Sequence, residues 1–256
     1  MKLFNAKKIK KEPKVSIILP NYNSSKTIVA TINSILQQTY KNFELIIVDD
    51  YSDVKTKNIL SKYKKIKIFY LKKNKGAGFC RNLAIKKSKS DYIAFIDSDD
   101  LWAKNKLKLQ INFMQKNNYL FTYTNYKTFK IDNPIKSTIQ VPAKFNLNSF
   151  IKNTSIATST MIVKRSITSK IKFSNTKICE DYFYKCQLLK KIGSAYCYPG
   201  YLTEYQIRRN SLQSNRIRNL YWIWRINKKL NHFNIFKNLI SIFFISLHSI
   251  KKYGFR

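Results

Sequence analysis

Short apolar runs alternate with segments of helical spacing through the first hundred residues. Residues 15–19 form an apolar run that Pro20 is expected to stop. Residues 25–38 place Ile28, Ile32, Ile35 and Leu36 on one helical face, with Ser24 or Ser25 ready to cap it. A second run, 43–48, ends in Asp49-Asp50. A short helix is expected over 55–63 and a third strand over 66–71. Lys75-Gly76-Ala77-Gly78 leads into a helix over 78–88, and a fourth strand covers 92–96. Strands alternating with helices predict βαβ units and a mainly parallel, Rossmann-like sheet.

The pattern loosens after residue 100. A helix over 104–118 turns Leu107, Ile111 and Met114 inward. Residues 119–129 are aromatic and β-rich, whereas 130–157, with Pro134 and Pro142, read as a loop. A strand is expected over 159–163, and a helix over 180–192 that Gly193 ends. Two short strands follow, 195–198 and 201–207. From residue 214 onward the chain reads as helical, basic and aromatic, as in Tyr221-Trp222-Ile223-Trp224-Arg225. There is no internal repeat and no clear linker.

Charge changes this picture more than composition does. The 256 residues include 49 Lys and Arg against 13 Asp and Glu, a formal net charge of +36. Such a balance suits a polyanionic partner: nucleic acid, an acidic membrane surface or a phosphate-bearing substrate. It is equally what Lys scattered singly over helical faces produces. With 44% hydrophobic residues the chain can bury a core, so general disorder is excluded. The four cysteines, Cys80, Cys179, Cys186 and Cys197, form no CxxC pair, and there are two His. This argues against a zinc site or a disulfide framework and for reduced thiols in a cytosol. The first fourteen residues are basic but lack the apolar core of a secretory signal. No window reaches the length of a membrane span; the nearest, 239–247, is too short.

Against this basic background, Asp97-Ser98-Asp99-Asp100 at the end of the fourth strand stands apart. Adjacent carboxylates repel one another and need a compensating cation. Hard cations such as Mg²⁺ and Mn²⁺ take oxygen ligands and share them with substrate phosphates. The first two strands end in Pro20-Asn21-Tyr22-Asn23 and Asp49-Asp50, and in a doubly wound sheet such ends share one crevice. There a carboxylate can accept from a base N–H and a tyrosine ring can stack on the base. Each pair alone would also make a turn or a cap. The glycines at 76 and 78 would let backbone N–H groups approach a phosphate, with Arg81 in reach of a diphosphate. They match neither the dinucleotide fingerprint nor the P-loop.

Val15-Ser-Ile-Ile-Leu-Pro-Asn-Tyr-Asn23, the Asp49-Asp50 strand, Gly76-Ala-Gly-Phe-Cys-Arg-Asn82 and Phe95-Ile-Asp-Ser-Asp-Asp-Leu-Trp102 together resemble the family 2 glycosyltransferases of GT-A fold. The resemblance runs through the first half of the chain. It implies a nucleotide-sugar donor, usually a UDP-sugar, and a divalent Mg²⁺ or Mn²⁺. It places Asp50 on the uracil, Asp97 and Ser98 on the ribose-diphosphate, and Asp99 on the metal. Pro20, Tyr22, Asn23, Asp49, Lys75 and Arg81 complete the expected donor site. Ile178-Cys-Glu180-Asp181 resembles the family's Glu-Asp motif, which implies Asp181 as the base that deprotonates the acceptor hydroxyl and Glu180 beside it. The same pair would serve as an ordinary helix cap. Residues 205–214 resemble a Tyr-Arg-x-x-x-x-Ser-x-Ser stretch of bacterial surface-polysaccharide members. Here Gln206 replaces the Arg, with Arg208 as its stand-in on the acceptor or diphosphate side. The tail resembles that of teichuronic-acid and capsule-type transferases.

The expected organisation is a basic arm, 1–14; a GT-A catalytic domain, 15–213, with a nucleotide-binding half up to 100 and an acceptor half beyond; and a helical extension, 214–256. The expected activity is inverting, metal-dependent transfer of a sugar to a lipid-linked or growing surface glycan. The expected place is the cytoplasmic face of an anionic inner membrane, with the tail as an amphipathic contact. The competing interpretation is a basic nucleic-acid-binding protein on a Rossmann-like scaffold. The acidic strand ends oppose it, since they set carboxylates where a polyanion would lie. A phosphoryl-transfer enzyme would need a nucleophile or phosphate loop that the sequence does not offer.

Overall fold

A computed structural model describes residues 12–130, 133–207 and 215–253. The first half builds as expected: β1 (Val15–Asn21), α1 (Ile28–Leu36), β2 (Phe43–Asp49), α2 (Val54–Leu60), β3 (Lys67–Tyr70), α3 (Ala77–Lys87) and β4 (Tyr92–Phe95). These four strands are parallel in the order β3-β2-β1-β4. The chain therefore winds outward from β1 to β3, then returns to lay β4 on β1's other side. That reversal leaves a crevice beyond the carboxyl ends of β1 and β4, where open α/β sheets take ligands.

Pro20 does not stop β1; it pairs with Val48 inside the strand. The reason is the side on which its N–H is missing. Ile96 N–H bonds the Ile18 carbonyl, and the β1–β4 ladder ends at Ile18 and Phe95. Pro20 faces the same side, one step past the ladder, where no bond is lost. In α1, Ile28, Ile32 and Ile35 are fully buried, but Leu36 is 45% exposed. Ser24 does not cap α1 with its side chain. Its hydroxyl bonds Asn21 instead, and the helix begins one turn later, after Thr27.

The second half contains β5 (Leu101–Trp102), α4 (Lys106–Lys116), β6 (Phe121–Lys130), β7 (Asn133–Ile139), β8 (Lys144–Phe145), α5 (Leu147–Phe150), β9 (Ile162–Lys164), α6 (Arg165–Thr168), α7 (Glu180–Ile192) and β10 (Ala195–Gln206). The sheet continues β4-β9-β6-β10-β5, with β7 on β6 and β8 on β10. Here β10 runs parallel to β6, and the remaining pairs are antiparallel. Residues 130–157 are therefore not a loop throughout: β7, β8 and α5 lie within them. Pro134 falls in β7, which among the described residues pairs with β6 alone and so lies at the sheet edge, where proline is tolerated. The two short strands expected over 195–207 are one. Pro199-Gly200, which signals a break, falls at a register shift in the β10–β6 ladder, and Asn125 Nδ2 bonds the Pro199 carbonyl at 2.8 Å. The strand expected at 159 starts instead as a 3-10 turn over Thr158–Thr160.

Side chains alternate along β1 to serve two cores. Val15, Ile17 and Leu19 pack with Ile28, Ile32, Leu107, Ile111 and Met114 under α1 and α4. Ile18 packs on the opposite face with Val48, Phe95 and Tyr184. That second core reaches α8 (Arg216–Lys229) and α9 (Ile235–Tyr253) through Ile223, Ile226 and Ile245. All four cysteines are free thiols. No helix among the described residues is long and apolar enough to cross a membrane.

Candidate active site

A cleft of about 160 Å³ opens at the β1/β4 reversal, lined by Pro20, Asn21, Tyr22, Asp50, Ala77, Cys80, Arg81, Asp97 and Ser98. A larger cleft of about 290 Å³ lies between α1, β5 and β10. It holds none of the predicted site residues, so the smaller cleft is the candidate site. Three of the five described non-glycine residues with positive φ lie in segments around it, Asn23 at φ 46°, Tyr51 at φ 64° and Cys179 at φ 60°; Asn118 and His232 lie elsewhere. Such strain concentrates where function holds a loop in place.

The strand ends are fixed by polar contacts that the sequence did not disclose. Asp49 is fully buried and does not line the cleft. Its carboxylate accepts from Asn21 Nδ2 at 2.7 Å and from the Ser52 N–H at 3.1 Å, tying β1 to β2. Asn23 Oδ1 accepts from the Asp53 N–H at 2.8 Å, which pins the β1 loop to the start of α2. Tyr22 is left half-exposed over the cleft. Asp50 accepts from the N–H groups of Lys75 and Gly76, at 2.7 and 2.8 Å, one on each carboxylate oxygen. The glycine loop thus presents two of its N–H groups to Asp50 rather than to an open phosphate site. Lys75 Nζ lies 4.3 Å over the Phe79 ring. Gly76, at φ +84°, makes the left-handed turn into α3. Gly78 is needed for closeness: a Cβ there would come within 2.8 Å of the Ser174 carbonyl and 2.9 Å of Glu180 Cγ.

That close approach brings α3 against the start of α7 and sets Arg81 between two carboxylates. Its guanidinium donates to Asp97 Oδ1 at 2.6 Å and to Glu180 Oε1 at 2.7 Å. Burial alone would lower its basicity, but Asp97, Glu180 and Asp181 more than offset this and hold it raised. Breaking a buried pair of this kind costs about 3–5 kcal/mol. Arg81 therefore bridges the two halves at the lining of the cleft. Burial and Asp181 push the Glu180 carboxyl upward, opposed by Arg81.

The three carboxylates after β4 have separate environments, which explains how they coexist. Asp97 has its cation in Arg81, and its N–H donates to Ser159 Oγ at 3.0 Å. Asp100 is buried and accepts from the Gln206 N–H at 2.9 Å, tying the motif to β10. Burial and the charges of Asp99 and Asp97 hold its pKa well up. Asp99 lies between them, half-buried. Thr27 Oγ1 donates to the Ser98 carbonyl at 2.8 Å and joins the turn to α1. Among the described residues no group of three or more ligating side chains encloses a metal. One half-buried carboxylate beside another is nevertheless a donor set that suits Mg²⁺ or Mn²⁺, which complete their shells with water and substrate phosphates.

Asp181 lies in the first turn of α7, where the helix dipole favours an anion. Its Oδ2 accepts from Lys185 Nζ at 2.7 Å, one turn along, and from Thr158 Oγ1 at 3.0 Å. Burial works to raise its pKa, but Lys185 chiefly, with Arg81 and Thr158, holds it down at about 2. These partners favour the charged form of Asp181. Arg208 lies outside the described residues. Ser52, Thr158, Ser159 and Lys185 were missed from the sequence: they are common residue types, and only the fold brings them to the site.

The arrangement joins a strand-end cleft, an acidic turn and a second carboxylate on a facing helix, and similarity to known proteins follows the same residues. The sequence profile of Glycosyl transferase family 2 matches residues 16–183. TuaG of Bacillus subtilis, a glycosyltransferase assigned by name to teichuronic acid biosynthesis, is 34% identical over 88% of this chain and 92% of its own. WfaP of Escherichia coli, a UDP-Glc:alpha-D-GlcNAc-diphosphoundecaprenol beta-1,3-glucosyltransferase, is 35% identical over 94% and 96%. The crystal structure of S. aureus TarS 1-349 in complex with UDP-GlcNAc superposes with a TM-score of 0.73 at 22% identity, covering 94% of this chain and 73% of that one, which supports the fold. A match that spans the cleft from β1 to the first turn of α7, with relatives alike over nearly their full length, makes this chain a glycosyltransferase belonging to glycosyl transferase family 2.

Proposed function

We propose that the protein transfers a sugar, with inversion, from a UDP-sugar to a hydroxyl of a lipid-linked or growing bacterial surface glycan, at the cytoplasmic face of an anionic membrane. The observation that carries this is the Asp97–Arg81–Glu180 bridge. It ties the acidic turn to the first turn of α7, the element that carries Asp181. A base for inversion must stand on the acceptor side of the anomeric carbon, away from the diphosphate, and Asp181, on an element other than the acidic turn, is the residue we assign to that side.

Tyr22 and Asp50 receive the base of the nucleotide; Asp97 and Ser98 lie along its ribose-diphosphate. A Mg²⁺ or Mn²⁺ held at Asp99 supplies, when bound, Lewis-acid neutralisation of the departing diphosphate. Asp181 Oδ2 is taken by Lys185 and Thr158, so Oδ1 is the oxygen that accepts the hydroxyl proton. As that proton leaves, the acceptor oxygen bonds the anomeric carbon, and the bond to UDP breaks with its electron pair on the diphosphate. A carboxylate of low pKa suffices because the hydroxyl becomes strongly acidic as it attacks, and position matters more than basicity. The name of WfaP, which specifies a UDP-Glc donor, supports a UDP-sugar donor here.

Ligand-dependent melting separates this reading from nucleic-acid binding. UDP with Mn²⁺ should raise the melting temperature by an amount that grows with UDP concentration, and duplex DNA should not. Stabilisation by DNA with no response to UDP would favour the nucleic-acid protein.

A further inference from the structure

Helix α9 is built inside out. The face it turns to the protein is partly polar: Asn238 and Ser241 are buried. Asn227 Nδ2 donates to Asn238 Oδ1 at 3.1 Å and to Ser241 Oγ at 3.2 Å. Ser241 Oγ donates in turn to the Ile151 carbonyl at 2.7 Å. The face it turns outward is apolar. Phe236, Leu239, Ile240, Phe243, Phe244 and Leu247 recur at steps of three and four, and each is at least 36% exposed, with Phe236 at 74% and Phe243 at 60%. Scattered exposed apolar residues need no explanation; a continuous stripe of six on one helix does.

We propose that this stripe is the docking surface for an anionic lipid bilayer, with α9 lying in the plane of the membrane. Charge selects the occupant. No Asp or Glu follows Glu204, while Lys228, Lys229, Lys237, Lys251 and Lys252 lie on or beside α9. Lys152 Nζ lies 5.3 Å over the Phe244 ring, at the edge of the stripe. Two copies meeting through this face would bring like charges together, with no carboxylate in the tail to pair them. A bilayer carrying anionic headgroups offers apolar depth for the rings and phosphates for the lysines. A helix of nineteen residues presents about 28 Å of such contact.

The docking face is joined to the acceptor side of the cleft. Tyr182, next to Asp181, donates its hydroxyl to Asn227 Oδ1 at 2.8 Å, and Asn227 holds α9. Docking would therefore bring the helix that carries Asp181 close to the headgroups, where a lipid-linked hydroxyl would be presented. This last step rests on the transferase reading; the lipid contact does not.

The test uses the full chain and sedimentation with vesicles of phosphatidylcholine, with and without about one-third phosphatidylglycerol. Phe236→Gln with Phe243→Gln removes two exposed rings and should leave the melting temperature unchanged. Binding of the wild type to the anionic vesicles should weaken with salt, and the double variant should bind about 100-fold less, roughly tenfold for each ring. Val54→Gln, at an exposed apolar position on α2, should bind like the wild type. UDP binding, followed in parallel, reports on the transferase site alone and should be the same in all three proteins. Equal sedimentation of wild type and double variant would overturn the proposal. So would a wild-type dimer that ignores vesicles and that the double variant converts to monomer, since a second copy would then be the occupant.

Discussion

Asp181→Asn is expected to leave donor binding intact and to cut sugar transfer by about 10²–10⁴-fold, the usual worth of a general base. The amide keeps the size of the side chain and can still receive the Thr158 hydroxyl, so the start of α7 should hold. It cannot take a proton. The loss should fall on kcat at saturating acceptor, with UDP affinity by calorimetry unchanged. A companion variant, Lys185→Met, separates position from basicity. Lys185 is the main group holding Asp181 at about 2. A carboxyl of depressed pKa is ionised above that value and becomes protonated only as pH falls through it. Without Lys185 that point rises, so the acidic limb of the pH–rate profile should move to higher pH. An Asp181→Asn enzyme that turns over normally with saturating acceptor would remove Asp181 from the mechanism.

Asp99→Asn is expected to abolish most turnover through a different step. The change is nearly isosteric, and the turn is held by its neighbours: Asp97 by Arg81 and Asp100 by the Gln206 N–H. The fold should therefore survive, with an unchanged melting temperature in the absence of ligand. What should disappear is the metal-dependent part of UDP affinity. Titration of the wild type should show tighter UDP binding with Mn²⁺ than with EDTA. The variant should show the weaker affinity in both conditions. If Asp99→Asn keeps the gain from Mn²⁺, the ion is held elsewhere. Retained wild-type activity in EDTA would mean that no metal is needed.

The nucleotide half was legible because each of its elements has a local signature. Apolar runs of strand length, breaks at Asn21–Asn23 and Asp49–Asp50, and the 3.6-residue spacing of Ile28, Ile32 and Ile35 are all carried by adjacent residues. Where local signals failed, the deciding contact was distant in sequence. Pro20 continues β1 because β4 has already ended beside it, a fact of pairing across 77 residues, as between Ile18 and Phe95. Pro199-Gly200 bends β10 rather than ending it because β6 carries the ladder past it.

The site followed the same division. The acidic turn and the Glu-Asp pair were visible as residue types out of keeping with a basic chain. Their partners were not. Arg81 was expected near a diphosphate from its place after a glycine turn, and its bonds to Asp97 and Glu180, sixteen and ninety-nine positions away, were not foreseen. Asp49 looked like a donor contact and is instead the buried tie between β1 and β2. Neither assignment could be made without knowing which carboxylate faces which cation. The tail's basic and aromatic character suggested a membrane contact. Its inverted packing, with Asn238 and Ser241 inside and the phenylalanines outside, shows only in three dimensions.

The central claim is a single displacement of UDP by a glycan hydroxyl in the β1/β4 cleft. Its most direct test is transfer itself: α-linked UDP-sugars offered one at a time with Mn²⁺ and a lipid-linked glycan acceptor, UDP release followed, and the new linkage read by NMR. The account predicts acceptor-dependent UDP release from a UDP-sugar and a β-linked product. An α-linked product from an α-linked donor would contradict it, as would the absence of acceptor-dependent UDP release from every donor.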